Sequence, residues 1–336
     1  MKSKPTAPPS FAALSRMLAR EVGAKVVSED AWKVVGQIVF PNGRKSYFRY
    51  NTLDINPHAA SEIAKDKDYA NFFLLRMKYP TVKGEAFYSD DWCTAIGSRR
   101  NIHAAYRYAK ASLPWPVLVK PNSGSHGQGV AKVHTKKEFY EAMEEIFKID
   151  RIALVQEIVH GNDYRVVVFD GQVYAAYERL PLSVVGDGKR SIRTLLRQKE
   201  EEFKAAHRDT RLKGVFPRIE RKLSAQMYSL ATIPTAGERV VLLDNANLSS
   251  GGEGRDVTSE LHPAWKDLAV QITRDMGLKL CGVDFMIEGS IEKPPKKYHV
   301  LEVNSSPGLH HYMRLGPAQV LVATELYRKV FAQLAK

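Results

Sequence analysis

Three oxygen-bearing side chains stand where strand-forming residues are expected: Asp284 inside "CGVDFMI", and Glu302 and Asn304 inside "HVLEVN". Residues two apart on a strand leave the same face, so Glu302 and Asn304 share one. A carboxylate buried without a partner is costly, and a cation offsets that cost. Two carboxylates and an amide, with room left for phosphates and waters, are a set that Mg²⁺ accepts. Taken singly, Asp284 reads as the partner of an arginine and Asn304 as the start of the turn "SSPG". Together, on adjacent strands, the three read as metal ligands.

A second constellation is "KPNSGSHGQGV", residues 120–130, where Lys120 closes the apolar run "PVLVKP" and three glycines fall within the six residues 124–129. Glycine is favoured where φ is positive or where something approaches the backbone closely, and a phosphate is one such thing. The pattern is neither a P-loop nor the G-x-G-x-x-G turn, because a strand follows it, and a glycine-rich hairpin more often just turns the chain. Lys120 beside it and the carboxylate strands downstream raise its weight, since a triphosphate needs both backbone N–H donors and cations. Arg165, Arg179 and Arg255 suit a guanidinium that holds phosphate or carboxylate bidentately, with Arg179 and Arg255 ranked ahead of Arg165. Surface salt bridging is the ordinary alternative for each. His310 and His311 in "GLHHY" read as neighbours on a strand that face opposite ways and so cannot share one metal, whereas His126 sits in the glycine loop where an imidazole donor is useful. No Ser-His-Asp or Cys-His constellation stands out.

These residues need elements to position them. "SFAALSRMLAREVG" has a capping serine, Ser10, and helical spacing, while "KVVGQIVF" and "SYFRY" flank "PNGRK", an Asn-Gly hairpin signal. "KDYANFFLLRMKYP" reads as a helix stopped by Pro80, and "SRRNIHAAYRYAKA" as another. After the glycine loop come the strand "VAKVH", a helix through Phe139, Met143 and Ile146, and the strands "IALVQEIV", "DYRVVVF" and "QVYAAYE", the last two joined by Asp170-Gly171. Residues 191–228 read as helical and so highly charged that a solvated surface is expected. Trp265, Leu268, Ala269, Ile272 and Met276 mark an amphipathic helix ahead of the two carboxylate strands.

The 336 residues, 44% hydrophobic and 26% charged, are those of a globular chain with ample surface to bury. The two cysteines, Cys93 and Cys281, have no metal-ligand spacing and read as reduced thiols in a cytoplasmic setting. No apolar run long enough for a signal peptide or a membrane span occurs. The net charge of +13 suits an enzyme of nucleotides and acidic substrates, and no nucleic-acid-binding signature accompanies it.

The order "DK" at 66–67, "PVLVKP", "GSHGQGV", "LVQEIVHGNDYRV" at 154–166, "GVDF" at 282–285 and "LEVNSSPGL" at 301–309 resembles the ATP-grasp superfamily. In particular it is similar to the ATP-grasp domain of cyanophycin synthetase and to glutathione-synthetase-like ligases, over roughly residues 65–312. The resemblance implies an α+β fold of two α/β lobes clasping ATP, with residues 1–64 as a small α/β region on the substrate side. Residues 65–160 would be the small lobe, carrying the phosphate loop, and residues 161–336 the large lobe, carrying the metal strands.

The resemblance also implies roles. Lys67 and Lys120 would hold the nucleotide phosphates, covered by the loop of Ser123, Gly124, Ser125, His126, Gly127 and Gly129. Gln156, Glu157, Ile158 and Val159 would receive adenine, Asp163 would bind the ribose hydroxyls, and Arg165 would serve the nucleotide. Asp284, Glu302 and Asn304 would hold Mg²⁺, two ions, with Mn²⁺ able to substitute. Arg179 and Arg255, with backbone N–H groups near Ser305, Ser306 and Gly308, would serve catalysis. The implied reaction joins a carboxylate and an amine, from amino acids, peptides or related metabolites, into an amide through an acyl phosphate, with ATP going to ADP and phosphate. A homodimer is compatible with this reading; membrane and nucleic-acid partners are not expected.

Cyanophycin synthetase has a further Mur-ligase-like domain, but no G-x-x-x-x-G-K-[ST] occurs here, so a stand-alone ligase is expected. The competing readings are an ATP-binding module without catalysis and a basic nucleic-acid-associated protein. Tyr47, Phe48, Arg49 and Tyr50 either recognise an acidic or peptidic substrate or form one half-buried strand, the second being the safer expectation.

Overall fold

Ser10 accepts a hydrogen bond from Ala13 N at 3.2 Å and so caps α1 (Phe11–Glu21), as its position ahead of the helical pattern foretells. The computed structural model describes residues 8–124, 129–206, 208, 210 and 212–336. Strands β1 (Lys25–Ser28), β2 (Val35–Val39), β3 (Lys45–Arg49) and β4 (Thr52–Leu53) form an antiparallel sheet, with β2 and β3 making the hairpin around Asn42-Gly43. Along β3 only Ser46 and Phe48 are buried, so Tyr47 and Arg49 occupy the outer side of a half-buried strand.

Two helices follow, α2 (His58–Lys65) and α3 (Lys67–Arg76). Their Ala64, Ala70 and Leu74 join a core that includes Val300 and Val303. The next unit has four antiparallel strands in the order β5, β8, β6, β7: β5 (Gly84–Tyr88), β6 (Val117–Pro121), β7 (Ala131–Val133) and β8 (Ile152–Gln156). Its helices are α4 (Asp90–Ile96), α5 (Ile102–Ser112) and α6 (Lys136–Phe147). Phe139, Met143 and Ile146 of α6 pack on Val117, Val119 and Val155.

The central sheet has five antiparallel strands. In spatial order these are β13 (Glu253–Asp256), β10 (Gln172–Leu180), β9 (Asn162–Phe169), β14 (Leu280–Ile287) and β15 (Tyr298–Asn304). Asp170 and Gly171 both have positive φ, 46° and 76°, giving the β9–β10 hairpin its tight turn. One face of this sheet packs on α9 (Pro263–Asp275) through Trp265, Ala269 and Ile272. The other face, through Val167, Phe169 and Tyr177, shares a core with α1, the N-terminal sheet and α11 (Pro317–Ala335). The N-terminal region is thus built into the large lobe's core.

The charged stretch 191–228 departs from expectation. It holds α7 (Ile192–Ala205) and α8 (Phe216–Ala225), which with β11 (Ser183–Val185) and β12 (Arg239–Val241) enclose a core of their own. Leu195, Leu196, Phe203, Ile219 and Leu223 are buried beneath the charges. A narrow apolar stripe suffices to dock a helix whose remaining faces are polar.

Candidate active site

Strand register assembles the site. Asp284 stands opposite Glu302 on β15 and opposite Arg165 on β9, while Arg179 on β10 stands opposite Asp163. Side chains at facing positions of an antiparallel pair lie on the same side of the sheet, so all five converge there. Arg165 grips Asp284 bidentately, Nε to Oδ1 and Nη2 to Oδ2, both at 2.6 Å, and its Nη2 lies 3.4 Å from Glu302 Oε1. Arg179 Nη2 reaches Asp284 Oδ2 at 2.8 Å, and its Nε and Nη2 donate to Asp163 Oδ1 at 2.9 and 2.6 Å. The result is an alternating chain of charge: Asp163, Arg179, Asp284, Arg165, Glu302.

Asp284 is 0% exposed. Burial pushes its carboxyl up to about 6 against the pull of Arg165 and Arg179, which leaves it ionised near neutrality. Burial also works against Glu302, but the charges of Arg165, Arg179 and Lys67 outweigh it and hold that carboxyl down to about 2. Glu302 is the outermost link, with a side chain 33% exposed and only the long 3.4 Å contact to a guanidinium. Asn304 Nδ2 donates to Glu302 Oε1 at 3.3 Å, placing the amide beside it.

Both lysines come to this face. Lys67, the first residue of α3, lines a small cavity with Glu302, and Lys120 feels the charge of both. Burial is the main reason that the Lys120 ammonium is lowered to about 8, with Lys67 adding to the shift and Glu302 opposing it. Ser123 N and Oγ donate to Asp150 Oδ2, both at 2.7 Å, anchoring the start of the glycine loop. Gly124 and Gly129 have φ of 95° and 70°, values that justify glycine there. Ser125, His126 and Gly127 lie outside the described residues.

At the end of β8, Glu157 N donates to Lys83 O at 2.9 Å and Glu157 Oε1 accepts from Lys83 N at 3.1 Å. Ile158 and Val159 continue as a half-buried loop. Gln156 is 6% exposed, and its Oε1 is buried without a hydrogen-bond partner among the described residues. An exocyclic amino group is the donor such an acceptor lacks, so this segment fits an adenine.

The loop after β15 is pinned from the N-terminal region. Asn56 Nδ2 donates to Ser305 O at 2.8 Å and Leu280 O at 2.7 Å, while its Oδ1 accepts from Lys279 N and Leu280 N. Asn51 Nδ2 donates to Ser306 O, and Gly308 lies alongside Asn51. Sequence reasoning missed both asparagines, although "NTLDIN" does end the hairpin sheet with two carboxamides.

Several expectations change. Arg255 is not in the chain of charge: it stands opposite Glu178, whose side chain leaves the other face of β10 from Arg179, and its partners are Glu178 and Glu260 at 2.9 and 2.8 Å. Arg165, ranked behind it, is at the centre. Asp163 is engaged by Arg179. Asp284 does pair with arginine, the reading set aside for it, and does so within the cluster that also holds Glu302 and Asn304. His310 and His311 lie on a short helix, α10 (His310–Met313), with ring centroids 6.2 Å apart, where a strand was expected.

Among the described residues no group of three His, Cys, Asp or Glu side chains converges on a metal position. Two carboxylates and an amide fit a hard cation that takes its remaining oxygens from phosphates and water, which is how Mg²⁺ is held at nucleotide sites. The donor set therefore suits Mg²⁺ bound together with a nucleotide.

The family description "D-ala D-ala ligase C-terminus" matches residues 87–186, and "RimK-like ATP-grasp domain" matches residues 243–326. The chain belongs to the ATP-grasp superfamily. A solved bifunctional glutathione synthetase from Pasteurella multocida shares the ATP-grasp fold with a TM-score of 0.58, at 22% identity, over 94% of this chain and 43% of that one. The glutathione biosynthesis bifunctional protein of Mannheimia succiniciproducens is 34% identical over 202 residues, 57% of this chain and 27% of that protein. Cyanophycin synthetase of Trichormus variabilis is 30% identical over 267 residues, 77% of this chain and 28% of that protein. The chain thus spans less than a third of the length of the Mannheimia and Trichormus relatives and less than half of the solved synthetase. Among the described residues no helix is long and apolar enough to cross a membrane.

Proposed function

We propose that this ATP-grasp chain is a carboxylate–amine ligase that uses ATP and Mg²⁺ to join an amino acid or peptide carboxylate to an amine, with ADP and phosphate as by-products. The observation that carries the reading is the convergence of Lys67, Lys120, Arg165, Arg179, Asp284, Glu302 and Asn304 on one face. Similarity to a glutathione biosynthesis protein and to cyanophycin synthetase supports the ligase class.

ATP bound with Mg²⁺ supplies a phosphoryl group whose charge is neutralised for attack. Lys67 and Lys120 bring positive charge to the phosphates, and Glu302, Asp284 and Asn304 would hold the cation. Arg165 and Arg179 hold Asp284 and Asp163 in place, their charges opposing the burial that raises both carboxyls. A substrate carboxylate oxygen bonds to the γ-phosphorus as the bond to ADP breaks. The amine nitrogen then attacks the acyl carbon, phosphate leaves with its electron pair, and the nitrogen gives up a proton.

The tetrahedral oxyanion needs fixed donors, and Ser306 and Gly308 N–H groups are the candidates. In a trans peptide the C=O and N–H point opposite ways, so the bond from Asn56 to Ser305 O turns the Ser306 N–H away from Asn56. That role gives residues 1–64 a place on the substrate side of the cleft. The buried free thiols Cys93 and Cys281 suit a reducing cytoplasm.

The test is incubation with ATP, Mg²⁺ and a panel of amino acids, short peptides and amines, with mass detection. A product equal in mass to two substrates less one water supports the reading. Tight ATP binding with no product from any pair favours an ATP-binding module without catalysis.

A further inference from the structure

Lys67 occupies the first position of α3, an unusual place for a cation because the helix macrodipole is positive there. What holds it is a residue 55 positions away. Asn122 is 3% exposed and hydrogen-bonds to three consecutive residues at the start of α3. Its Nδ2 donates to Asp66 Oδ2 at 2.8 Å, its Oδ1 accepts from Asp68 N at 2.9 Å, and its carbonyl accepts from Lys67 Nζ at 3.1 Å. Lys67 Nζ gives a second bond to Gly124 O at 3.1 Å, inside the glycine loop.

The surroundings make this cluster a fastener between lobes. Asp66 Oδ1 caps α3 by accepting from Tyr69 N at 2.9 Å, so both oxygens of that carboxylate are used. Helix α3 packs on the large lobe through Ala70 and Leu74, whereas Asn122 follows β6 of the small sheet and donates its own N–H to Ile152 O at 3.0 Å. One buried carboxamide thus ties the two lobes at the point where both phosphate lysines meet.

We propose that Asn122 is a positioning residue for nucleotide phosphates: it sets the Lys67 ammonium against Lys120, Glu302 and the first turn of the glycine loop before the nucleotide arrives. This rests on the ATP reading above. Loop carbonyls are neutral partners for Lys67, and phosphate oxygens would replace them with charge-assisted bonds at little cost of reorganisation. Asn122 bonds to Ile152 at the start of β8, whereas the segment offered to adenine begins at the other end of that strand, so its effect is expected on the phosphates.

The experiment is calorimetric titration of ATP and, separately, adenosine into the full chain and into Asn122→Ala and Asn122→Asp. The Asp variant keeps the acceptor for Asp68 N–H but sets a carboxylate against Asp66, so it reports on the fastener even where the Ala variant does not fold. The ATP Kd is expected to rise about tenfold or more in each folded variant, with the adenosine Kd unchanged within about twofold. Unchanged ATP affinity overturns the proposal, and so do equal losses for ATP and adenosine, which a merely structural role would produce. A wild-type chain that binds neither ligand overturns the nucleotide reading and this proposal with it, and is recognised by its independence of the variants.

Discussion

Lys120 gives ATP binding a pH dependence that can be worked out in advance. Burial lowers its ammonium from 10.5 to about 8, so in the free protein it titrates just above neutrality. The charged form attracts phosphate and the neutral form does not. With that value about nine tenths of the chains carry the charge at about pH 7 and about one tenth at about pH 9, so affinity that needs the charge falls about tenfold between them. The sign follows from linkage: the nucleotide draws a proton onto Lys120, and binding therefore weakens as pH rises through the free-protein value. ATP titrations across this range, repeated with Lys120→Arg, provide the assay, because arginine stays charged throughout and also subtracts the titration of ATP itself. A flat wild-type profile, or the same fall in the arginine variant, would refute the reasoning.

Arg165→Met removes two of the three guanidinium hydrogen bonds to the buried Asp284 and is expected to cost about 3 kcal/mol in urea unfolding; a loss under about 1 kcal/mol would show that Asp284 does not depend on it. Arg255→Ala, at a side chain 48% exposed on the opposite face, is expected to change stability by less than about 1 kcal/mol and to leave ATP affinity unaltered, and a lost nucleotide affinity would return it to the site. Asn56→Ala leaves four backbone groups of the β14 and Ser305 segments without their partner and is expected to cost about 2 to 3 kcal/mol by thermal or chemical unfolding, with turnover reduced more than ATP binding.

The sequence made the two-residue alternation of Glu302 and Asn304 visible because strand period is local, and it made Lys120 and its glycine loop visible because turn chemistry is local too. Which residue of one strand faces which residue of another is not local. Arg165 was therefore undervalued, although it stands opposite Asp284, and Arg255 was overvalued, although its register with Glu178 sends it to the far face. Asn51, Asn56 and Asn122 were overlooked for the same reason: their side-chain hydrogen bonds cross 54 to 255 positions of sequence. The charged helices of residues 192–225 concealed their apolar stripe, since charge sets solubility and leaves the buried face to a few residues such as Leu196 and Phe203. "GLHHY" reads as a strand by sequence, but Leu309 caps a single helical turn instead.

On the proposed function one face of the central sheet turns ATP into ADP, and the nucleotide product tests this most directly. With Mg²⁺, ATP and an active substrate pair, the wild-type chain should release ADP and phosphate, and Glu302→Gln should release neither while unfolding at a similar temperature. AMP and pyrophosphate from the wild type, or undiminished ADP from the variant, would contradict it.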